Sequence, residues 1–304
     1  MSDIETIQAL RQSDKVLENT PAGVLSVIAR YSRPNVYTFP KTEEMHITTH
    51  HYSVTTPPVT IILNWPCIIH CIIGTIGDDI YFVGLKKWEC GIFSFSMQSR
   101  TFTFLRKIDS FDSMCISFTG DIYICGSELG PRFSKLDRIT GEEITLPGMI
   151  ARRVECGCYY YNGSVYAFGG FENHIETGKC ERFDIKENKW YKIESMPSPN
   201  SYTDCICERD GCLFLITTKK RIFMYDIEKD AWSIPEWNEA FARLKVETLR
   251  YNRGKFYAIS EANGDNPMRI IWESSSPERP WKPILDLDKR SSRTCCVYLH
   301  LTYE

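Results

Sequence analysis

No apolar stretch in this 304-residue chain reaches the roughly 18 residues that a membrane-crossing helix requires. The longest candidate, Val59-Thr60-Ile61-Ile62-Leu63 with Ile68-Ile69, is interrupted by Asn64 and Pro66 and reads as strands. The N-terminus opens on acidic residues without an apolar core, so no secretory signal is visible and a cytoplasmic location is expected. Charge of one sign is also missing: 36 basic against 39 acidic residues offer no electrostatic footprint for nucleic acid. The densest basic run, Lys219-Lys220-Arg221, reads as a solvated hairpin or loop edge that discourages strand pairing. A G-x-S-x-G elbow, a phosphate-cradling Walker loop and a dinucleotide fingerprint are all wanting. The lone double glycine, Gly169-Gly170, belongs to a strand end, where a phosphate would lack the dipole of a helix N-terminus.

A repeat is present instead. An aliphatic-aromatic or aromatic-aromatic pair follows a turn at Ile80-Tyr81, Ile122-Tyr123, Val165-Tyr166, Leu213-Phe214 and Phe256-Tyr257, the second members 42, 43, 48 and 43 residues apart. A fixed period of this size means that one supersecondary unit is copied, because a unit unable to bury its apolar face alone must stack on its neighbours. The clearest copy runs from Glu155 to Pro199 as four strands. Cys158-Tyr159-Tyr160-Tyr161 leads into the tight-turn dipeptide Asn162-Gly163, and Ser164 to Phe168 runs to Gly169-Gly170. Cys180 to Asp184 follows a polar loop, and Lys189 to Ile193 comes before Met196-Pro197. The aromatic-Asp pair Phe183-Asp184 has Trp190 six residues on, and Tyr225-Asp226 has Trp232 at the same interval.

Strand, turn, glycine pair, aromatic-Asp and Trp in this order resemble the kelch repeat, whose family fold is a β-propeller with one four-stranded blade per repeat. The other copies are divergent: Leu136-Asp137 has no Trp, Phe95-Ser96 is followed by Phe102, and Ser260 stands where glycine is expected. At the ends, Gly23 to Ala29 has the form of a second strand, Thr38-Phe39-Pro40 that of a third, and Thr294 to His300 that of a first. Since a closed ring removes open sheet edges, the reading is an all-β, six-bladed propeller in which the C-terminal strand, around Val297, lies beside the strand holding Val27. Residues 1–20 form a helical segment, with Ile4, Ile7, Leu10 and Leu17 near one face, and residues 21–304 a single propeller. The stretch of His50-His51, Thr48-Thr49 and Pro57-Pro58 reads as an elongated loop.

Thirteen cysteines invite metal or disulfide readings, but Cys71, Cys115, Cys156, Cys158, Cys205, Cys207, Cys295 and Cys296 fall in the proposed first strands, nearest the axis. There a free Cys serves as a small apolar side chain. The pairs lack the spacing and knuckle of structural zinc, so no metal or cofactor is expected. Asp184 and Asp226 could be taken for a glycosidase pair, yet they hold equivalent positions in separate copies, where Asp caps a local turn. Trp190 and Trp232 are expected between adjacent blades.

What remains is a binding platform of loops between second and third strands: Leu85 to Gly91, Ser127 to Phe133, Phe171 to Lys179, Thr218 to Arg221 and Glu261 to Met268. Candidate partner-binding residues are Lys86, Lys87, Trp88, Arg132, Glu172, His174, Lys219, Arg221 and Asn266, a mixture suited to a protein segment. Trp88, flanked by lysine, fits an interface anchor. The resemblance implies a monomeric protein-interaction module whose partner is another protein, a ubiquitin-ligase or cytoskeletal component, with no nucleic acid and no membrane. The roughly 22 residues before Gly23 do not accommodate a BTB or F-box domain. The alternative is a propeller-type enzyme acting on a sugar or small molecule at the channel mouth, since fold alone does not choose.

Overall fold

The structure is a computed structural model. It describes residues 35–300 apart from 41–46, 54–55, 64–67, 77–78, 87–88, 97–98, 100, 109–112, 118, 128–129, 200–204, 218–220, 236–245, 253–254, 262–268, 276–280 and 287–294. All regular structure among the described residues is β. The chain divides into two compact units, Met1–Asp109 with Leu287–Glu304, and Ser110–Asp286.

The first unit holds two antiparallel four-stranded sheets. One is built from β1 (Asn35–Pro40), β2 (Ile47–Ser53) and β3 (Thr56–Leu63), the other from β4 (Ile68–Ile76), β5 (Asp79–Lys86), β6 (Glu89–Ser96) and β7 (Thr101–Ile108). The fourth strand of the former is C-terminal: β26 (Cys295–His300) pairs with β1, Val297 opposite Thr38. The expected partner of Val297, Gly23 to Ala29, lies outside the described residues, as does the helical segment 1–20. Residues Thr38 to Pro40, expected as a third strand, are thus second, flanked by β26 and β2. The supposed loop around His50-His51 and Pro57-Pro58 is also corrected, because it forms the hairpin β2–β3, Ser53 opposite Thr56. Its threonines, valine and isoleucines favour strand. Its prolines sit on the edge strand β3 at the register shift between the His51–Val59 and Ser53–Thr56 pairs, an edge and a bulge being the places where a sheet tolerates proline.

The second unit holds four such sheets. The first consists of β8 (Ser113–Ile116), β9 (Ile122–Cys125), β10 (Phe133–Leu136) and β11 (Glu143–Thr145). The next consists of β12 (Gly157–Tyr161), β13 (Ser164–Phe168), β16 (Cys180–Asp184) and β17 (Lys189–Ile193), with a small hairpin of β14 (Phe171–Glu172) and β15 (Ile175–Glu176) between its second and third strands. Then follow β18 (Cys205–Arg209), β19 (Cys212–Ile216), β20 (Ile222–Asp226) and β21 (Ala231–Ser233). The last sheet comprises β22 (Val246–Asn252), β23 (Lys255–Glu261), β24 (Arg269–Ser274) and β25 (Lys282–Asp286). First strands of successive sheets lie side by side, β8 on β12, β12 on β18 and β18 on β22, which is a β-propeller arrangement.

The core lies between these sheets. Tyr123, Phe133 and Cys125 of one meet Val165, Ala167, Phe183 and Trp190 of the next. On the other side of that sheet, Tyr166 and Phe168 meet Leu213, Leu215 and Tyr225. Phe214 and Ile222 then meet Leu249, Phe256 and Ala258. Each second strand is therefore apolar on both faces, which explains the repeated pairs. The two indoles work as expected: Trp190 Nε1 donates to Pro147 O and Trp232 Nε1 to Glu194 O, both at 2.8 Å and both across to the preceding sheet. The repeated Asp is a turn cap, with Asp184 Oδ1 accepting the N–H groups of Lys186 and Glu187 at 3.0 Å. Asp137 Oδ1 does the same for Ile139 and Thr140, and these backbone bonds hold its carboxyl below the ordinary range.

The double glycine is needed for a close approach. Gly170 has φ +96°, and a Cβ there would sit 2.5 Å from Val154 O. Val154 and Phe171 exchange hydrogen bonds of 3.0 and 2.8 Å at this point, fixing the connection from the previous sheet. We expect Gly170→Ala to destabilise by about 2–3 kcal/mol, from the left-handed backbone plus the overlap. Gly163→Ala, in an open hairpin turn with nothing within 4 Å, is expected to cost only about 1 kcal/mol. Urea unfolding midpoints of the two variants provide the check, and equal losses would contradict the overlap.

Candidate functional site

In an antiparallel sheet with strands in chain order, connections from second to third strand and from the last strand to the next sheet emerge on one edge. The remaining turns emerge on the other. In the second unit, Arg132, Arg152, Glu155, the β14–β15 hairpin, Lys179 and Arg221 therefore share an edge.

Four of the candidate residues are described there. Arg132 is half-buried, and its guanidinium bonds Glu143 of β11, which also accepts the Ser134 hydroxyl. Arg132 is thereby held against its own sheet. Glu172, the last residue of β14 before the turn, accepts Lys179 Nζ at 2.6 Å, tying the turn end of the hairpin to the residue before β16. His174 lies in the hairpin turn, where Asn173 and His174 have φ of +52° and +64°, the pair of positive angles that a two-residue turn demands. Arg221 is exposed beside β20, and its N–H closes the turn onto the Thr217 hydroxyl at 3.1 Å.

Elsewhere the strands run further than expected. Leu85 to Gly91 is not a loop: Leu85 and Lys86 belong to β5, Glu89 to Gly91 to β6, with Lys86 opposite Glu89. Two full-length β-rich strands leave only positions 87–88 between them. Lys86 is thus a strand residue, while Lys87, Trp88, Lys219 and Asn266 lie outside the described residues.

Two features of this edge escaped the sequence reading. Ile175, next to His174, is 71% exposed at the start of β15. Beneath the edge, Arg153 and Glu181 form an ion pair with side-chain exposures of 0% and 2%. Arg153 Nη1 donates to Gly169 O at 3.0 Å and also to Lys179 O, while Glu181 accepts the N–H groups of Ile150 and Ala151 at 2.7 and 2.9 Å. One paired charge thus anchors residues 150–153 to both ends of the 169–181 segment. The available signal was alternation: Glu181 is two residues from buried Phe183 on β16, so its carboxylate had to face the core.

The shifted pKa values belong to the scaffold. Burial pushes the Cys156 and Cys180 thiols up to about 12. Tyr225 is raised by burial and by donating to Asp230 Oδ1 at 2.6 Å. Among the described residues, no group of three or more His, Cys, Asp or Glu is disposed to hold a metal ion.

A Kelch motif family model matches residues 152–197, the sheet that carries the double glycine, the ion pair and Trp190. Kelch repeat protein C2 of Vaccinia virus (strain Western Reserve) is 26% identical over 163 residues, covering 48% of this chain and 28% of the relative. An F-box/kelch-repeat protein of Arabidopsis thaliana is 27% identical over 120 residues, 38% of this chain and 30% of its own length. Human Kelch-like protein 23 is 23% identical over 145 residues, 46% and 26% of the respective chains. The matched stretches thus span less than a third of these curated relatives. In fold, a chain of a nidogen/laminin complex superposes with a TM-score of 0.60 at 9% identity, over 88% of this chain and 98% of that one. With its blade-like sheets, its turn-capping Asp, its inter-sheet Trp and the motif matched over residues 152–197, this chain carries a kelch motif and is similar to kelch-repeat proteins.

Proposed function

We propose that the chain is a six-bladed propeller, its ring closed by β26 beside β1, that serves as a cytoplasmic scaffold or adaptor. As a monomer it binds another protein through the edge bearing the second-to-third strand loops. The observation that carries this reading is the β14–β15 hairpin. Its backbone is preset by the two positive-φ turn residues and its turn end is tied to Lys179 through Glu172, yet it holds exposed Ile175 beside exposed His174. A rigid loop that presents an unpaired aliphatic group loses little conformational freedom on binding, which favours affinity. Arg152 and Arg221, exposed on the same edge, add charge at its rim. Lys87, Trp88, Lys219 and Asn266 are candidates from their sequence positions, each between a second and a third strand. The kelch-repeat relatives, one of them an F-box/kelch-repeat protein, support a protein partner and make a ubiquitin-ligase component a first candidate; a cytoskeletal component is the second.

The test is affinity purification from the native cell with the wild-type chain and with Ile175→Asp, His174→Ala and Trp88→Ala. Loss of a buried anchor removes about 1.4–3 kcal/mol, so recovery of the specific partner should fall roughly tenfold or more, with the circular dichroism spectrum unchanged. Unaltered recovery in all three variants would refute this face as the binding surface.

A further inference from the structure

Three thiols meet between the first two sheets of the second unit. Cys115 is on β8, Cys125 on β9 and Cys158 on β12. Cys158 Sγ lies 3.2 Å from Cys115 Sγ and 3.1 Å from Cys125 Sγ, within about 1 Å of the length of a disulfide. Packing alone does not call for three sulfurs in one spot, because alanine or valine would fill the same space without a reactive group.

We propose that Cys158 is the shared member of an oxidisable thiol cluster, forming a disulfide with either Cys115 or Cys125 that staples the two neighbouring sheets together. The oxidant is a small hydroperoxide, hydrogen peroxide being the simplest. Cys115 and Cys125 are buried and Cys158 is the least enclosed of the three residues, with its sulfur central to the cluster, so oxidant enters from the Cys158 side. Its sulfur takes one peroxide oxygen, giving a sulfenic acid and releasing water. The sulfur of Cys115 or Cys125 then displaces that hydroxyl, losing its own proton, and a second water leaves. Two thiols are oxidised by two electrons and one peroxide is reduced. The unused third thiol lies against Cys158 and can attack the new bond, so the link passes between the two partners by exchange. Burial is the main influence raising the Cys115 and Cys158 thiols, which keeps them protonated and makes the reaction slow. The cluster therefore responds to sustained oxidant and not to a brief pulse.

The experiment treats the reduced full-length chain with hydrogen peroxide, blocks remaining thiols by alkylation and maps peptides without reduction. A peptide pair joining Cys158 to Cys115 or Cys125 is expected, with loss of two alkylatable thiols. The melting temperature should rise by roughly 5–10 °C, reversed by dithiothreitol, because the link closes a long loop in the unfolded chain. Cys115→Ser should send the whole cross-link to Cys125, and Cys125→Ser to Cys115; Cys158→Ser should abolish both. The proposal is overturned if the folded protein keeps all three thiols, if Cys158 is found only as sulfinic acid, or if the disulfides join separate chains. None of these outcomes bears on partner recovery by the loop edge.

Discussion

Arg153→Met is expected to destabilise the protein by about 3–5 kcal/mol, read as a fall in the urea midpoint with an unchanged slope. The guanidinium is fully enclosed and satisfies two backbone carbonyls and the Glu181 carboxylate. Methionine fills much of its volume but donates nothing. Glu181 would then be a buried anion without its counter-charge, and the carbonyls of Gly169 and Lys179 would lose a donor. A second substitution separates charge from packing. In Arg153→Met/Glu181→Gln, the neutral amide needs no counter-ion and its oxygen still accepts from the Ile150 or Ala151 N–H. Recovery of about 1–2 kcal/mol relative to the single variant is expected. If the double variant is as unstable as the single one, the loss lies in volume and in the orphaned carbonyls, and the uncompensated charge contributes little.

The architecture was readable because its period is written twice, once in the second strands and once in the closing turns. Tyr123, Tyr166 and Phe214 are buried between sheets, and a side chain enclosed on both faces of its strand leaves little freedom for substitution by polar residues. The six-residue interval from Asp184 to Trp190 and from Asp226 to Trp232 is equally physical. It is the length needed to cap the turn with Asp and return an indole to the preceding sheet. The prolines misled, because Pro57-Pro58 is a loop signal unless the strand is at an edge, and edge position depends on the pairing of distant segments. For the same reason the partner of β26 could not be read locally: Val27 and Thr38 both lie in plausible strand segments, and the register opposite Val297 is a long-range property.

The site was less legible. Exposed loop residues carry no periodic constraint, so composition marked Arg132 as a candidate although it is bound to Glu143 on its own sheet. The Leu85 to Gly91 region looked like a loop because lysines and Trp interrupt the apolar alternation, yet β5 and β6 pair as far as Lys86 opposite Glu89. Conversely, Arg153 resembles any surface arginine in sequence, and only the face shared by Glu181 and Phe183 hinted that a charge of opposite sign was buried nearby.

Trp190→Ala is expected to cost about 3–5 kcal/mol, comparable with loss of the ion pair but by a different route. Its indole is 6% exposed and packs edge-on against Phe133 of the preceding sheet at 4.8 Å between ring centroids, and against Phe183 of its own at 5.3 Å. Alanine would leave a cavity between two sheets whose backbones are already fixed by their own ladders, so collapse to fill it is resisted. Trp190→Phe retains most of the ring contact and removes the donor to Pro147 O, for an expected loss of about 1–2 kcal/mol. The difference between the two variants therefore measures aromatic packing against the cross-sheet hydrogen bond. Because Pro147 follows β11 while Trp190 is on β17, the damage should fall on coupling between the sheets. Hydrogen exchange is the discriminating measurement: amides of β10–β11 and β16–β17 should exchange faster in Trp190→Ala, while those of β22–β25 change little. Uniform acceleration across all four sheets would mean that the unit opens only as a whole, and that the indole contributes to global stability without a local role in holding neighbouring blades.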